Sequence, residues 1–152
     1  MFSFFRRNKK LFNDEEQQLV AAAIREAERN TSGEIRVYVE TRCSYVDALD
    51  RAVELFGKMG MQATKERNGV LVYVALKDHQ LAIYGDEGIH QKVGPQYWNE
   101  EINKMLPLFK QQKLADGICR VVNDLGEALH HHFPFNRETD KNELPDEIIF
   151  GS

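Results

Sequence analysis

Asp86 and Glu87 end a short apolar run, Leu81-Ala82-Ile83-Tyr84-Gly85, and Asn68-Gly69 opens the apolar run that precedes it, Val70 to Leu76. Carboxylate and amide oxygens are the ligands that hard divalent cations take. Calcium binds about 6–8 of them, and magnesium binds six while keeping several waters. Glu34 and Asp116 are two further carboxylates that follow or precede a glycine. None of these lies in a twelve-residue EF-hand loop, so a cation site here would be composite. Whether the residues meet depends on the elements that carry them.

The two apolar runs are joined by the polar turn Lys77-Asp78-His79-Gln80, which makes them a hairpin. A hairpin returns its chain to the starting edge, so Asp86 comes back towards Asn68. With the turn centred between Asp78 and His79, Asp86 stands nearly opposite Leu71, roughly 10 Å of strand from Asn68. An earlier strand, Glu34 to Glu40, alternates Ile35, Val37 and Val39 with polar or aromatic residues and has one drier face. A helix over about Ser44–Met59 links it to the hairpin, so those two strands run parallel by a right-handed crossover. Parallel strands share their N-terminal edge, which places Glu34 beside Asn68. Val70 to Leu76 is apolar on both faces and belongs in the centre of a sheet covered by helices on both sides.

Asn13 is an N-cap with Asp14, Glu15 and Glu16 behind it, and Leu19, Val20, Ala23, Ile24 and Ala27 recur at helical spacing, giving a helix over 14–29. The stripe of the second helix is Val46, Leu49, Ala52, Val53, Leu55 and Phe56. After Gly88 a turn of helix over Ile89–Val93 is followed by one from Pro95 to about Lys110, with Trp98, Ile102, Met105, Leu106 and Phe109 inward. Pro107 should kink or split it. Asp116 then caps a last helix with Ile118, Val121, Val122, Leu125, Ala128 and Leu129 on one face. The fold class is α/β, a three-layer α/β/α sandwich around a small mixed sheet of about four strands. Residues 1–13 form a basic and aromatic N-terminal segment, 14–132 the domain, and 133–152 a polar, flexible tail whose Ile148-Ile149-Phe150 cluster either docks or frays.

One domain suffices for 152 residues, and 29% charged with 42% hydrophobic residues is ordinary for a soluble globular chain. The net charge of −4 argues against nucleic-acid binding, which needs a basic face. Cys43 and Cys119 lack a C-x-x-C pattern, so a disulfide framework or cysteine zinc site is not expected and a reduced cytoplasmic setting is the simplest. No run approaches the ~20 apolar residues of a membrane span. Phe2, Phe4 and Phe5 precede Arg6, Arg7, Lys9 and Lys10 in the wrong order for a targeting signal. They form either a weak membrane or partner contact or a folded-back terminus.

Other constellations are weaker. Glu87 with His90, and His130-His131-His132, suggest a transition metal, but a surface histidine and a solvated helix C-terminus explain them better. Neither Ser32 nor Ser44 has a His-Asp partner, and G-K-[ST] is absent. On their own Glu34, Asp86 and Asp116 also read as a strand-edge carboxylate, a turn former and a plain N-cap.

Four stretches in this order and spacing, Ser32-Gly33-Glu34-Ile35, Asn68-Gly69-Val70-Leu71-Val72, Ile83-Tyr84-Gly85-Asp86-Glu87-Gly88-Ile89 and Asp116-Gly117-Ile118, resemble the TPM domain family. That family includes a thylakoid-lumen phosphatase-like protein, a photosystem II repair factor and a modulator of acetylcholine receptors. The resemblance covers about residues 14–132 and implies the same α/β/α sandwich. It further implies divalent-cation binding, chiefly of calcium, and weak acid-phosphatase activity. Glu34, Asp86 and Asp116 would then be ligands, with Asn68 in support. Many members carry an export signal and a membrane anchor, and this chain shows neither. Many also have an aromatic where Asp86 stands, which leaves the ligand at that corner open between Asp86 and Glu87.

Three functions follow as expectations. The first is a non-enzymatic, monomeric module binding calcium or magnesium, with an unknown protein partner. The second is a metal-assisted phosphatase in which the cation polarises a phosphoryl group and generates hydroxide. The third is an interaction scaffold recruited through the N-terminal aromatic and basic segment.

Overall fold

Asn13 starts the first helix, α1 (Asp14–Glu28), through a reciprocal capping box: its Oδ1 accepts from Glu16 N–H at 2.7 Å, and Glu16 Oε1 accepts from Asn13 N–H at 3.0 Å. This computed structural model describes residues 12–135 and 148–151. The chain continues through β1 (Glu34–Glu40), α2 (Ala48–Lys58), β2 (Gly69–Ala75), β3 (Gln80–Gly85), α3 (Glu87–Val93), α4 (Pro95–Lys110), α5 (Leu114–His132) and β4 (Ile148–Phe150). The strands form one mixed sheet in the order β3-β2-β1-β4, with β1 parallel to β2 and β4 and the β2–β3 hairpin antiparallel. The α/β/α sandwich is therefore as expected, and Ile148-Ile149-Phe150 docks against β1.

Each face of the sheet has its own core. Ile35, Val37 and Val39 of β1, with Val70, Val72 and Val74 of β2, meet α1, α4 and α5. Leu71, Tyr73, Ala75 and Ala82 meet α2 on the other side. β2 is buried at every position, as its uniformly apolar sequence requires. β1 differs from the expectation of one dry and one wetter face. Arg36 and Glu40 on its polar side are also buried: β1 lies inside the sheet between β2 and β4, and Arg51 of α2 pairs with Glu40.

Five helix readings need correction. α2 begins at Ala48 and not near Ser44, because the Asp47 carboxylate accepts from Leu49 N–H at 2.9 Å and sets the helix start there. Val46, Leu49 and Val53 stay exposed, so the buried stripe of α2 is Ala48, Ala52, Leu55 and Phe56; Leu19 of α1 is half exposed as well. Pro107 does not split α4, since only one turn follows it and little of the hydrogen-bond ladder is lost. Asp116 is not the cap of α5: the helix starts at Leu114 after Lys113, and Asp116 lies exposed in its first turn.

Among the described residues no helix is long and apolar enough to cross a membrane. Cys43 and Cys119 are both free, and burial raises the Cys119 thiol above its ordinary value. The N-terminal Phe2, Phe4, Phe5 and their basic neighbours lie outside the described residues.

Candidate metal centre

The parallel register sets Glu34 across from Gly69, and Glu34 N–H donates to Asn68 O at 3.4 Å. On the other side of β2, Asp86 N–H donates to Gly69 O at 2.9 Å. Asp86 is thus level with Gly69, closer to Asn68 than the sequence suggested, because Ala75 pairs with Gln80 and the hairpin turns between Lys77 and Asp78. Glu34 and Asp86 sit on either side of Gly69, their backbones about 10 Å apart at the usual strand spacing. All three oxygen-bearing side chains are buried: Glu34 is 3% exposed, Asn68 1% and Asp86 1%.

Asn68 is oriented by a chain of hydrogen bonds. Its Nδ2 donates to Ser32 Oγ at 3.1 Å, and Ser32 Oγ donates to Glu66 Oε2 at 3.3 Å. The single hydroxyl proton of Ser32 goes to the carboxylate, so Ser32 must accept from Asn68, which fixes the amide nitrogen on that side. The carbonyl Oδ1 then faces away and has no hydrogen-bond donor among the described residues. A buried, unmatched amide oxygen is costly unless something else engages it.

Asp86 is held differently. Its carboxylate accepts from Arg67 Nε at 2.7 Å and Nη2 at 2.9 Å, a bidentate pair, and Oδ1 also accepts from Glu87 N–H at 2.8 Å as the N-cap of α3. The bonds to Asp86 push the Arg67 guanidinium further above its already high value. Glu87 is exposed in the first turn of α3, 3.4 Å from Arg67 Nη1. Arg67 is a site residue that the sequence reading does not single out. Its place directly before Asn68-Gly69, facing an acidic pair, was the available signal. Among the described residues no group of three or more histidine, cysteine, aspartate or glutamate side chains is placed to hold a metal. Any cation at this corner therefore depends on amide, backbone and water oxygens as well.

Asp116 is not part of the corner. The C-terminal end of α5 reaches the N-terminal edge of β1, where Thr31 Oγ donates to Leu129 O at 3.0 Å and Ser32 N–H donates to Phe133 O at 3.1 Å. The start of α5 is at the opposite edge, where Leu114 shares a small pocket with Leu76 and His79 of the hairpin tip. Roughly 20 Å of helix separates Asp116 from Leu129. An aspartate before a glycine looks the same in sequence at either end of a sheet; only the helix direction separates the two cases.

The histidine alternatives have other partners. His90 Nδ1 accepts from Trp98 Nε1 at 2.9 Å, which leaves its proton on Nε2, and His130 Nδ1 lies 2.7 Å from Asn30 O.

Two buried polar clusters were not foreseen. At the C-terminal edge of β1, the Glu40 carboxylate accepts from Arg51 Nε at 3.0 Å and Nη2 at 3.1 Å, and from the Tyr73 hydroxyl. Arg51 also reaches Glu54 at 2.6 Å. Between α4 and α5, Lys104 Nζ lies 2.9 Å from both Glu101 and Asp124. Glu101 sits between Trp98 and Met105 on the inward face of α4, a place read as belonging to Ile102. Burial lifts the Glu101 carboxyl to about 7; Lys104 opposes the shift and Asp124 adds to it. The nearby Tyr97 phenol is also raised, mainly by burial.

Because Glu101 binds its proton more tightly in the folded chain than at the ordinary value of 4.5, its contribution to stability is full below that value and is lost as pH rises through about 7. The melting temperature should therefore fall between pH 5 and 7.5. Glu101→Gln should remove that part of the slope in a scanning-calorimetry pH series, and an unchanged slope would contradict the assignment.

The comparisons with known proteins agree with the architecture. The family model described as the TPM domain matches residues 6–128. The chain is similar to BA42 from the psychrophilic bacterium Bizionia argentinensis, at 42% identity over 90% of this chain and 93% of that one, with a TM-score of 0.81. It shares its fold with the N-terminal domain of cg2496 from Corynebacterium glutamicum, at 12% identity, 91% and 80% coverage and a TM-score of 0.62. It also shares it with the N-terminal domain of a P. gingivalis protein, at 17% identity, 83% coverage of each chain and a TM-score of 0.66. No curated protein matches the chain.

Proposed function

This chain belongs to the TPM domain family, and we propose that it is a module binding a divalent cation, calcium or magnesium, at the corner where β1, β2 and β3 meet. The observation that carries this reading is the buried Asn68 Oδ1, which has no donor among the described residues, set between two strand ends that bear Glu34 and Asp86. A hard cation would engage such an oxygen. Glu34 and Asn68 supply side-chain oxygens, water fills the remaining positions, and Asp86 with Glu87 adds negative charge. Arg67 neutralises Asp86 in the cation-free state and yields part of that charge on binding. Asp116 has no role in this site.

Isothermal titration of the chain with calcium chloride, and separately with magnesium chloride, tests the reading. One site is expected, weakened at least tenfold by Asn68→Ala and left unchanged by Asp116→Asn. Equal affinity in Asn68→Ala, or loss of binding in Asp116→Asn, would contradict it.

A further inference from the structure

The outer side of β3 has no partner strand among the described residues. Since Asp86 N–H is bonded to Gly69 O, the bonded pairs of the hairpin are Tyr84–Leu71, Ala82–Tyr73 and Gln80–Ala75. Leu81, Ile83 and Gly85 consequently turn their N–H and C=O groups away from β2. Edge strands that must stay unpaired usually carry a charge or a proline. β3, Gln80-Leu81-Ala82-Ile83-Tyr84-Gly85, has neither.

A groove of about 550 Å³ runs along this edge. Leu49 and Tyr84 form its wall on the α2 side, and Pro95, Trp98 and Ile102 of α4 form the other. Leu49 is 43% exposed, so an apolar wall faces water. Among the described residues, the formally charged side chains lining the groove are Asp47 and Glu87, with no lysine or arginine. Glu87 follows β3 at one end, and Asp47 starts α2 at the other. Six strand residues, about 20 Å, separate the ends. Arg67 reaches Glu87 only through Nη1 at 3.4 Å while its Nε and Nη2 hold Asp86 at 2.7 and 2.9 Å, and the Glu87 side chain stays 64% exposed. A second copy of the chain paired antiparallel would set Glu87 beside the other copy's Asp47, which like charges oppose.

We propose that this groove binds an extended peptide segment that adds to β3 as a further strand, apolar through its middle and carrying a lysine or arginine near each end. Backbone pairing to Leu81, Ile83 and Gly85 supplies part of the affinity, the two apolar walls take its side chains, and Asp47 and Glu87 select its charge. The proposal does not depend on a bound cation.

The test uses the full chain, isotope-labelled, in EDTA, and an eight-residue capped peptide with arginine at each end and valine and threonine between. Amide shifts at Leu81, Ile83 and Gly85 are expected, with slowed hydrogen exchange there and binding below 1 mM. N-methylating alternate peptide residues should abolish binding in one phase of the alternation and spare it in the other. Replacing both arginines by glutamate, or the protein change Asp47→Asn with Glu87→Gln, should weaken binding at least tenfold; asparagine retains the N-cap. Three results would overturn the proposal: no shifts along β3, equal binding of the acidic peptide, or indifference to both N-methylation patterns. Concentration-dependent shifts at the same amides without peptide, with doubled tumbling time, would assign the edge to a second copy and overturn it too.

Discussion

Arg51→Met is expected to lower the unfolding free energy by about 3–5 kcal/mol and the melting temperature by on the order of 10 °C. The reason is the position of Glu40, 3% exposed at the end of β1 with both carboxylate oxygens bonded to Arg51. Methionine fills similar space but leaves that carboxylate buried without its counter-charge. Tyr73→Phe removes only one donor to the same carboxylate, and its effect should be smaller, about 1–3 kcal/mol. Urea denaturation of the two variants measures the difference. A loss under 1 kcal/mol in Arg51→Met would mean that Glu40 is solvated or protonated in the folded chain.

Gly88→Ala should be the next most damaging single change, at about 3 kcal/mol. A β-carbon there would lie 2.1 Å from Glu66 O and 2.6 Å from Arg67 O, both backbone atoms that cannot swing aside. The residue 66–67 backbone is already constrained: Arg67 has a left-handed φ of 53°, and its carbonyl accepts from Gly88 N–H at 2.8 Å. Pushing α3 away also moves Asp86 from Gly69 and so from the corner it shares with Asn68, and cation affinity should fall together with stability. Gly57→Ala is the control. Open space surrounds that position within α2, and alanine there should stabilise by about 0.5–1 kcal/mol through helix propensity.

The fold could be read from alternation and punctuation. Asn13 followed by Glu16, the uniformly apolar Val70–Ala75, and the hairpin turn at Lys77–His79 each specify a local geometry with few competitors. Those elements also brought Glu34, Asn68 and Asp86 to one edge, because parallel and hairpin connections leave little choice of where strand ends lie. The misreadings share a different cause. Asp116 stands next to a glycine at a helix start, but the direction of α5 puts that start at the far edge. Arg67, Arg51 and Lys104 act through tertiary partners many residues away, Asp86, Glu40 and Asp124, and no local period marks such pairings. Val46, Leu49 and Val53 fit a helical stripe, yet Val46 precedes α2, and α2 covers the sheet with one narrow face that leaves Leu49 and Val53 outside.

Arg67 also bears on how the corner would respond to a cation. Its guanidinium occupies the charge complement of Asp86 that a metal would otherwise provide, so binding involves exchange of one positive partner for another. Such a corner favours modest affinity and a local response in the residue 66–68 segment and in the first turn of α3.

The most direct test is a residue-by-residue NMR titration of the whole chain with calcium. The expected result is saturable shifts in the amides of Glu34, Arg67, Asn68, Asp86 and Glu87, and in the side-chain amide of Asn68, with Asp116 silent. Spectra unchanged at 10 mM calcium, or shifts confined to the start of α5, would contradict the assignment of this corner as a cation site.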